Sequence, residues 1–401
     1  MMTRKEFIKK SAALGIGIPF LSMLLESCED QASLYPDFDV NFSGKVIVIG
    51  AGAAGLTAGY LLDKYNIDFQ IIEASSEFGG RMKRTTDFAD FPIDLGAEWI
   101  HEHPSVLARL ISDSSINANI EIITYSPDTV YNWKDGELKK QNWGANFYSE
   151  YKFKDSTWYG FYERYIVPRV SNKIVYNSPV SEIDYSGERV AIRNVNGEVF
   201  EADKVLVTVP ITILQEGSID FIPSFPLEKT TAINSVDMPD GLKVFIEFSE
   251  RFYPDILFTG SLISEVQTSE KVFYDAAFRK DSNKNILGLF TVGEEATEYT
   301  SLITDDAIIE KVMNELDTIF EGKASQYYVK HIVQNWSKEP FIKGSYSSSF
   351  GQDESTTIRN LIEPVENKIF FAGEALSSDN GATVPGAGES AYSAIETILI
   401  N

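Results

Sequence analysis

A strand followed by a glycine-rich turn near the start of the chain constrains the fold more than any other feature. Residues 46–49 read Val-Ile-Val-Ile, and the glycines that follow are Gly50, Gly52 and Gly55. An unbroken β-branched run is typical of a strand buried on both faces of a parallel sheet. Glycines spaced as G-x-G-x-x-G permit a tight turn, close approach of the backbone to a pyrophosphate, and close packing of the next helix. The stretch therefore predicts the first βα unit of a dinucleotide-binding sheet.

The residues after this turn complete the expected unit. Residues 56–62 supply a helix, residues 69–72 supply a second apolar strand, and Glu73 ends that strand. An acidic side chain about 20 residues beyond the glycines is placed to accept hydrogen bonds from a ribose. The free N–H groups at the start of the helix, beside Ala53 and Ala54, suit the phosphates. An ordinary turn would not bring all of these features into register, so we expect the chain to bind a dinucleotide.

The overall composition narrows the possible partners. The 401 residues are 43% hydrophobic, which suffices for a large core and two domains. A net charge of −24 argues against nucleic acid as a partner. One cysteine and three histidines argue against a disulfide framework or a multi-ligand metal site, so no metal is predicted.

The first 28 residues have the pattern of a targeting segment. Residues 3–10 form a basic head, residues 11–25 form an apolar run too short to span a membrane, and Cys28 follows. This arrangement resembles a bacterial lipoprotein signal, in which the cysteine becomes the lipidated first residue, and the head also resembles a twin-arginine export signal. We therefore expect an exported lipoprotein of the cell envelope, anchored through Cys28. The alternatives are an uncleaved anchor or a buried cysteine on a core helix. Residues 29–42 are predicted to form an acidic and polar tether.

Two segments beyond Glu73 carry a resemblance to a known family. They read Ala74-Ser-Ser-Glu-Phe-Gly-Gly-Arg81 and Ile93-Asp-Leu-Gly-Ala-Glu-Trp-Ile-His101. With the glycine-rich turn, they resemble the flavin-containing amine oxidase family, which includes monoamine and polyamine oxidases and histone lysine demethylases. The resemblance implies FAD as the cofactor, with Arg81 near its pyrophosphate. A fixed guanidinium charge suits phosphate, and two adjacent glycines let the loop lie flat against the cofactor.

The resemblance returns in residues 172–253 and 333–400 and extends the FAD site. It implies that Val180 meets the adenine through its backbone and that Thr383 begins a helix at the pyrimidine edge of the flavin. Ser345 stands where mitochondrial monoamine oxidases have a cysteine bound to flavin, so FAD is expected to be held without a covalent link. The cofactor-binding residues implied are Gly50, Gly52, Ala53, Ala54, Gly55, Glu73, Ala74, Gly80, Arg81, Gly96, Ala97, Glu98, Trp99, Val180, Trp336, Gly373, Glu374, Thr383 and Val384.

Lys243 is the strongest single candidate for a catalytic residue. It opens the apolar stretch of residues 241–248, where a surface lysine is the alternative interpretation. In the resembling enzymes a lysine at this place holds a water molecule against the flavin N5. A desolvated lysine there keeps its charge near the reacting centre and assists reoxidation by O₂.

Three further side chains are implicated by their positions in the family pattern. Tyr346 takes the place of a tyrosine that forms one wall of an aromatic cage in front of the flavin, where a ring face aligns the amine. Thr383 replaces the second tyrosine of monoamine oxidases, so the cage is incomplete. Trp99 stands where L-amino-acid oxidases carry an arginine for the substrate carboxylate, which favours an amine without an α-carboxylate. His101 could receive a second amine, although a structural histidine is equally consistent.

These observations predict an α/β protein with two domains. The first is a Rossmann-type FAD-binding domain of residues 43–100, 168–253 and 333–401. The second is an inserted α+β substrate domain of residues 101–167 and 254–332. The first part of this insert is shorter than the corresponding segment of the family, so the sequence leaves the shape of the substrate open.

The resemblance implies an oxidase that converts an amine to an imine and passes the electrons to O₂, giving hydrogen peroxide. One alternative is a desaturase of the phytoene or protoporphyrinogen type, which would oxidise C–C bonds in an apolar tunnel without needing Lys243 and Tyr346. The other is a non-catalytic FAD-binding surface protein, suggested by the short insert and the leader. Bleaching of the flavin by an amine distinguishes the three.

Overall fold

The structure is a computed structural model that describes residues 35–113, 116, 118–141, 150–259, 270–377 and 380–401. Its strands are β1 (Lys45–Ile49), β2 (Asp68–Ile72), β3 (Arg84–Thr85), β4 (Ile93–Asp94), β5 (Trp99–Ile100), β6 (Ile122–Tyr125), β7 (Val130–Lys134), β8 (Glu137–Lys140), β9 (Glu150–Phe153), β10 (Ile174–Val175), β11 (Val180–Asp184), β12 (Val190–Asn194), β13 (Val199–Ala202), β14 (Lys204–Val207), β15 (Asp220–Ile222), β16 (Gly241–Phe248), β17 (Ile256–Thr259), β18 (Glu270–Asp275), β19 (Asn285–Val292), β20 (Tyr328–Asn335) and β21 (Ile369–Phe371). Its helices are α1 (Ala53–Lys64), α2 (Val106–Ile111), α3 (Trp158–Tyr165), α4 (Val167–Val170), α5 (Ile211–Gln215), α6 (Leu227–Asn234), α7 (Glu294–Thr300), α8 (Asp305–Phe320), α9 (Lys323–Tyr327), α10 (Glu354–Ile362) and α11 (Val384–Ile400).

The glycine-rich segment lies at the centre of a five-stranded parallel sheet. The strand order is β10-β2-β1-β14-β21, and β1 pairs with β2 on one side and β14 on the other. Val46, Ile47 and Val48 are fully buried, because helices α1 and α11 cover one face of the sheet and a smaller mixed sheet of β11, β12, β13 and β15 covers the other. The predicted buried strand and α/β fold class are therefore confirmed.

A second, larger sheet follows the order β20-β16-β19-β18-β17-β7-β8. Helix α8 packs on it through one apolar face, which includes Ile308, Val312 and Leu316. Strand β16, which carries Lys243, pairs with β19 and β20 in this sheet. The predicted FAD-binding segment 168–253 includes this strand, which pairs here with two strands of the second sheet. An apolar strand of this kind fits either sheet, so only its long-range partners decide.

The part of the predicted tether that the structure describes is packed against the domain. The ring of Tyr35 stacks on that of Tyr392 at 4.0 Å between centroids, and Phe38 packs on Tyr65. The backbone N–H of Asn41 donates to the carbonyl of Leu399 at 2.8 Å. Residues 35–42 are therefore held on helices α1 and α11, contrary to the prediction of a free tether.

The predicted targeting segment, residues 1–28, and residues 29–34 of the predicted tether lie outside the described residues. Among the residues that are described, no helix combines the length and apolar character needed to cross a bilayer.

Candidate active site

The turn between β1 and α1 leaves a space where a phosphate group can approach the backbone. A Cβ added to Gly55 would overlap the carbonyl oxygen of Gly50, because the helix packs directly on the strand. A Cβ added to Gly52 would instead meet nothing closer than the carbonyl of Gly79, at 4.0 Å. The third glycine thus allows the helix to pack on the strand. The second keeps open the space for a phosphate group beside the turn, which we call the cradle, as the motif predicts.

Glu73 links the end of β2 to this turn. Its carboxylate accepts hydrogen bonds from the N–H groups of Ala51, at 2.6 Å, and Ser75, at 2.7 Å. Burial raises the pKa of Glu73, and the two backbone donors act against that rise. The loop with Gly79 and Gly80 crosses the turn, and both glycines have positive φ angles, of 115° and 57°. The structure therefore brings together the ribose-side acid, its neighbour Ala74 and the phosphate-side glycines.

Arg81 lies at the next part of the cradle. Its Nη1 donates to Glu374 Oε1 at 2.8 Å and to the carbonyl of Ser345 at 2.9 Å. The other carboxylate oxygen of Glu374 accepts from Ser347 Oγ at 2.6 Å and from the N–H of Ala382 at 3.1 Å. A pocket with about 350 Å³ of empty space opens here, lined by Arg81, residues 207–211, Leu214 and residues 371–376.

The closing part of the chain completes the predicted FAD site. Thr383 caps helix α11 by accepting a hydrogen bond from the N–H of Gly386 at 3.0 Å, and Val384 opens the helix. The indole N–H of Trp336 donates to the carbonyl of Leu95 at 2.9 Å. This contact fixes the strand that leads into Gly96 and Ala97 beside Arg81. Val180 begins β11 in the smaller sheet, where its side chain is buried.

Lys243 is buried, so the alternative of a surface lysine is wrong. Its side chain is 5% exposed, and its Nζ donates to the carbonyls of Asp94, at 2.8 Å, and Gly96, at 3.1 Å. The third donor goes to Glu98 Oε2 at 2.6 Å. An ammonium group has three donors, and each of them has an acceptor here. Lys243 thus fastens the larger sheet to the segment that carries Gly96.

Glu98 lies at the centre of a buried charge cluster. Its Oε1 is 2.5 Å from Lys152 Nζ, and its Oε2 accepts from both Lys243 and the hydroxyl of Tyr274. Burial alone would raise the pKa of Glu98, but the two ammonium groups outweigh burial and lower it to about 2. Asp94, close by, behaves in the opposite way, since burial and the charge of Glu98 raise its pKa well above the ordinary range.

The ammonium of Lys152 lies among three aromatic rings. It is 4.6 Å from the ring centroid of Trp99, 5.3 Å from that of Tyr125 and 5.1 Å from that of Tyr274. Trp99 and Lys152 are direct cross-strand neighbours in the pairing of β5 with β9. The Trp99 ring, predicted to face substrate, is therefore packed against Lys152.

Sequence reasoning missed Lys152 and Tyr274. Lys152 is a single basic residue in a short strand, and Tyr274 is one of 19 tyrosines, so no local pattern distinguishes either. Only the pairing of β9 with β5 and the position of β18 bring them to Glu98.

The remaining candidates lie at the edges of this region. His101 Nδ1 is 3.2 Å from Glu150 Oε2, a pairing that fits the structural interpretation. Tyr346 is half-buried between Ser345 and Ser347, whose backbone and side-chain atoms contact the pair formed by Arg81 and Glu374. Within the described part of the chain, no group of three or more His, Cys, Asp or Glu side chains is arranged to hold a metal ion.

Comparison with known protein families gives the family of the chain. The model described as flavin containing amine oxidoreductase matches residues 159–399, which is more than half of the chain. The chain belongs to the flavin-containing amine oxidoreductase family. A second model, described as an NAD(P)-binding Rossmann-like domain, matches residues 48–113 and so covers the glycine-rich turn.

Individual relatives of this oxidoreductase include demethylases and oxidases. Lysine-specific histone demethylase 2 of Homo sapiens is 25% identical over 96% of this chain and 55% of its own length. Lysine-specific histone demethylase 1B of Mus musculus is 33% identical over 52% of this chain and 26% of its own length. Polyamine oxidase 2 of Arabidopsis thaliana is 24% identical over 86% of each protein. The chain thus spans about a quarter to a half of the length of the two demethylases.

A solved structure shares the fold of the whole oxidoreductase. Wild-type putrescine oxidase bound to putrescine superposes with a TM-score of 0.74 over 90% of this chain and all of that one, at 14% identity. The predicted enzyme class, a flavin-containing amine oxidoreductase, is confirmed, and its cofactor is FAD. The open cradle at Gly52, the buried acid Glu73 and the cationic Arg81 fit an adenosine ribose and a pyrophosphate.

Proposed function

We propose that this chain is an FAD-dependent oxidase that converts an amine to an imine. The substrate loses a hydride from the carbon next to a neutral amine nitrogen, together with the nitrogen's proton, and water then hydrolyses the imine to a carbonyl compound and ammonia or an amine. O₂ takes up the two electrons and two protons and leaves as hydrogen peroxide. FAD, when bound, supplies the redox chemistry, and the protein supplies binding, orientation and charge.

The observation that carries this proposal is the burial of Lys243 between the larger sheet and the segment of residues 94–98. The resemblance assigns to this lysine the position beside the flavin N5. A buried ammonium there stabilises negative charge that develops during electron transfer to O₂, since it acts in a medium of low dielectric constant. Its three hydrogen bonds, to Asp94, Gly96 and Glu98, hold the charge in one place.

The proposed substrate is an amine without an α-carboxylate. Trp99 stands where L-amino-acid oxidases have an arginine, and an indole ring does not form the two-point fork that grips a carboxylate. Two arginines of the described residues that could take its place have other partners. Arg169 lies 3.2 Å from Asp63 on helix α1, and Arg279 donates to the carbonyl of Thr124. Burying a carboxylate without a charged partner costs several kcal/mol.

A substrate panel tests the proposal. Phenylethylamine, spermidine and L-phenylalanine are compared under identical conditions, and peroxide release is measured. We expect turnover of at least one of the two amines and little or no turnover of the amino acid. A clearly higher kcat/KM for L-phenylalanine than for either amine contradicts the substrate class, and no peroxide from any amine contradicts the oxidase assignment.

We further propose that the protein is exported and anchored to the cell envelope through lipidated Cys28. The support is the basic head and apolar run before this cysteine. The packed segment from Tyr35 to Phe42 would then hold the catalytic domain within a short reach of the membrane. Six residues separate Tyr35 from Cys28, and an extended chain spans at most about 3.5 Å for each residue.

A further inference from the structure

Two buried lysines share a single carboxylate beside the proposed active site. Glu98 Oε1 lies 2.5 Å from Lys152 Nζ, and Glu98 Oε2 lies 2.6 Å from Lys243 Nζ. The side chains of Lys152 and Glu98 are 2% and 6% exposed, so water does not screen these charges. One negative charge thus faces two positive charges in a region of low dielectric constant.

Other ionisable groups lie around this cluster. The buried carboxylate of Asp275 is paired with Arg251 at 2.8 Å, and the groups nearer to Glu98 do not cancel the excess charge. Asp94 is the second carboxyl group nearby, and burial with the charge of Glu98 raises its pKa well above the ordinary range, which favours its neutral form. The hydroxyl of Tyr274 is held neutral in the same way, because burial and Glu98 raise its pKa. Lys280, which also lies near Lys152, adds positive charge to the cluster when it is protonated. Burial and the charge of Lys152 lower the pKa of Lys280 to about 8.

The aromatic rings explain how an additional buried cation is tolerated. The faces of Trp99, Tyr125 and Tyr274 all lie within 5.3 Å of Lys152 Nζ. Ring faces carry partial negative charge and attract an ammonium without neutralising it. The cage therefore stabilises Lys152 while its full positive charge remains in the cluster.

We propose that Lys152 is a positioning residue for the flavin reaction, which acts through Glu98 on Lys243. Because Lys152 balances the charge of Glu98, the charge of Lys243 remains uncancelled, and the cluster presents net positive charge to the flavin. This inference rests on the proposed function for the location of Lys243 beside the flavin. Positive charge near a flavin favours its reduced, more negative form and so raises its midpoint potential.

The experiment measures the midpoint potential of the bound FAD by reduction with reference dyes. It needs no amine, so its outcome is independent of whether the substrate proposal holds. Lys152→Met removes the charge and keeps most of the side-chain volume, and Lys152→Gln removes the charge and keeps a hydrogen-bond donor for Glu98. The double variant Lys152→Met with Glu98→Gln removes one charge of each sign and leaves Lys243 uncancelled.

Both single variants are expected to have a lower midpoint potential than the wild type. Their reoxidation by O₂ is expected to be slower by about tenfold, because one positive charge is lost from a region of low dielectric constant. The double variant is expected to recover the wild-type potential. Lys271→Met breaks another lysine–glutamate pair of the same sheet, with Glu315 at 2.7 Å, and is expected to leave the potential unchanged.

Three outcomes overturn the proposal. The first is a wild-type potential in both single variants. The second is a double variant with a potential as low as that of the single variants, because the effect would then not follow the charge. The third is loss of FAD or of the folded state in both single variants, which would make Lys152 a purely structural residue.

Discussion

Replacing Lys243 by methionine tests the structural and the chemical role of the buried lysine together. The substitution keeps most of the length of the side chain and removes its charge and all three of its donors. The carbonyls of Asp94 and Gly96 lose a hydrogen bond each, and Glu98 loses one of its two ammonium partners. Glu98 retains Lys152 and the hydroxyl of Tyr274, so no buried charge is left unpaired.

The magnitude follows from the pKa of Glu98 and from the two carbonyls. A fall in the pKa of Glu98 from 4.5 to about 2 corresponds to about 3 kcal/mol of stability at neutral pH. Lys243 is one of two cations that cause this fall, and burial opposes it, so removal of Lys243 costs at least half of that value. Each carbonyl left without its donor costs about 1 kcal/mol. We therefore expect Lys243→Met to lower the free energy of unfolding by at least about 3.5 kcal/mol, within the range for a broken buried pair.

The loss of stability in Lys243→Met depends on pH. A carboxylate whose pKa is lowered by folding stabilises the protein above its unfolded pKa of about 4.5, and that contribution disappears as the pH falls towards 2. The part of the difference between wild type and Lys243→Met that comes from Glu98 should therefore be complete at pH 7. It should shrink when unfolding is measured near pH 3.

Urea unfolding of the FAD-bound proteins at both pH values, with stopped-flow reoxidation by air, measures these effects. Lys271→Met is the matched control, because it also breaks a lysine–glutamate pair in the same sheet, formed with Glu315. It should lower stability and leave reoxidation unchanged, whereas Lys243→Met should lower both. A Lys243→Met protein that unfolds like the wild type at pH 7 refutes the structural argument, and wild-type reoxidation refutes the chemical role.

Three further predictions concern the cofactor and the anchor. Gly55→Ala should greatly reduce the FAD content of the purified protein, because its Cβ would overlap the carbonyl of Gly50. The control Gly187→Ala should retain FAD, because its Cβ would meet no atom closer than 3.4 Å. Equal FAD content in both variants contradicts the packing argument. Acid precipitation should leave the yellow colour in solution, since Ser345 cannot form a thioether; colour in the pellet would show a covalent link. Cys28→Ala should abolish processing and membrane association, and unchanged fractionation with membranes would refute the lipid anchor.

The cofactor site could be predicted because its signals are local. Gly50, Gly52 and Gly55 lie within six residues of one another, and a turn between a strand and a helix imposes their spacing. Glu73 follows as the end of the next strand, since parallel strands bring their carboxyl ends to one edge of the sheet. Each of these residues occupies the predicted place in the structure.

The charge cluster could not be predicted, because three distant segments form it. Glu98 directly precedes β5, Lys152 lies in β9 and Tyr274 lies in β18. Only the register that pairs Trp99 with Lys152 brings the second lysine to the carboxylate. The resemblance placed Glu98 and Trp99 in the wall of the cofactor site and gave no sign of their partners. Long-range register of this kind has no local sequence pattern.

The packed segment at residues 35–42 was also misjudged, for a different reason. Its acidic and polar residues suggested a solvated tether, and the structure shows that its aromatic residues determine its position. Tyr35 and Phe38 pack on Tyr392 and Tyr65, so two rings anchor a segment that also carries Asp37, Asp39 and Asn41. Composition describes the solvent-facing side of such a segment and misses its contacts.

Anaerobic addition of an amine to the purified FAD-bound protein tests whether the protein oxidises amines with its flavin. Phenylethylamine and spermidine are added without O₂, and the visible absorbance of the oxidised flavin is followed before and after readmission of air. We expect that at least one of the two amines bleaches the flavin and that air restores the absorbance with release of hydrogen peroxide. A flavin that dithionite reduces but that neither amine bleaches would contradict this expectation.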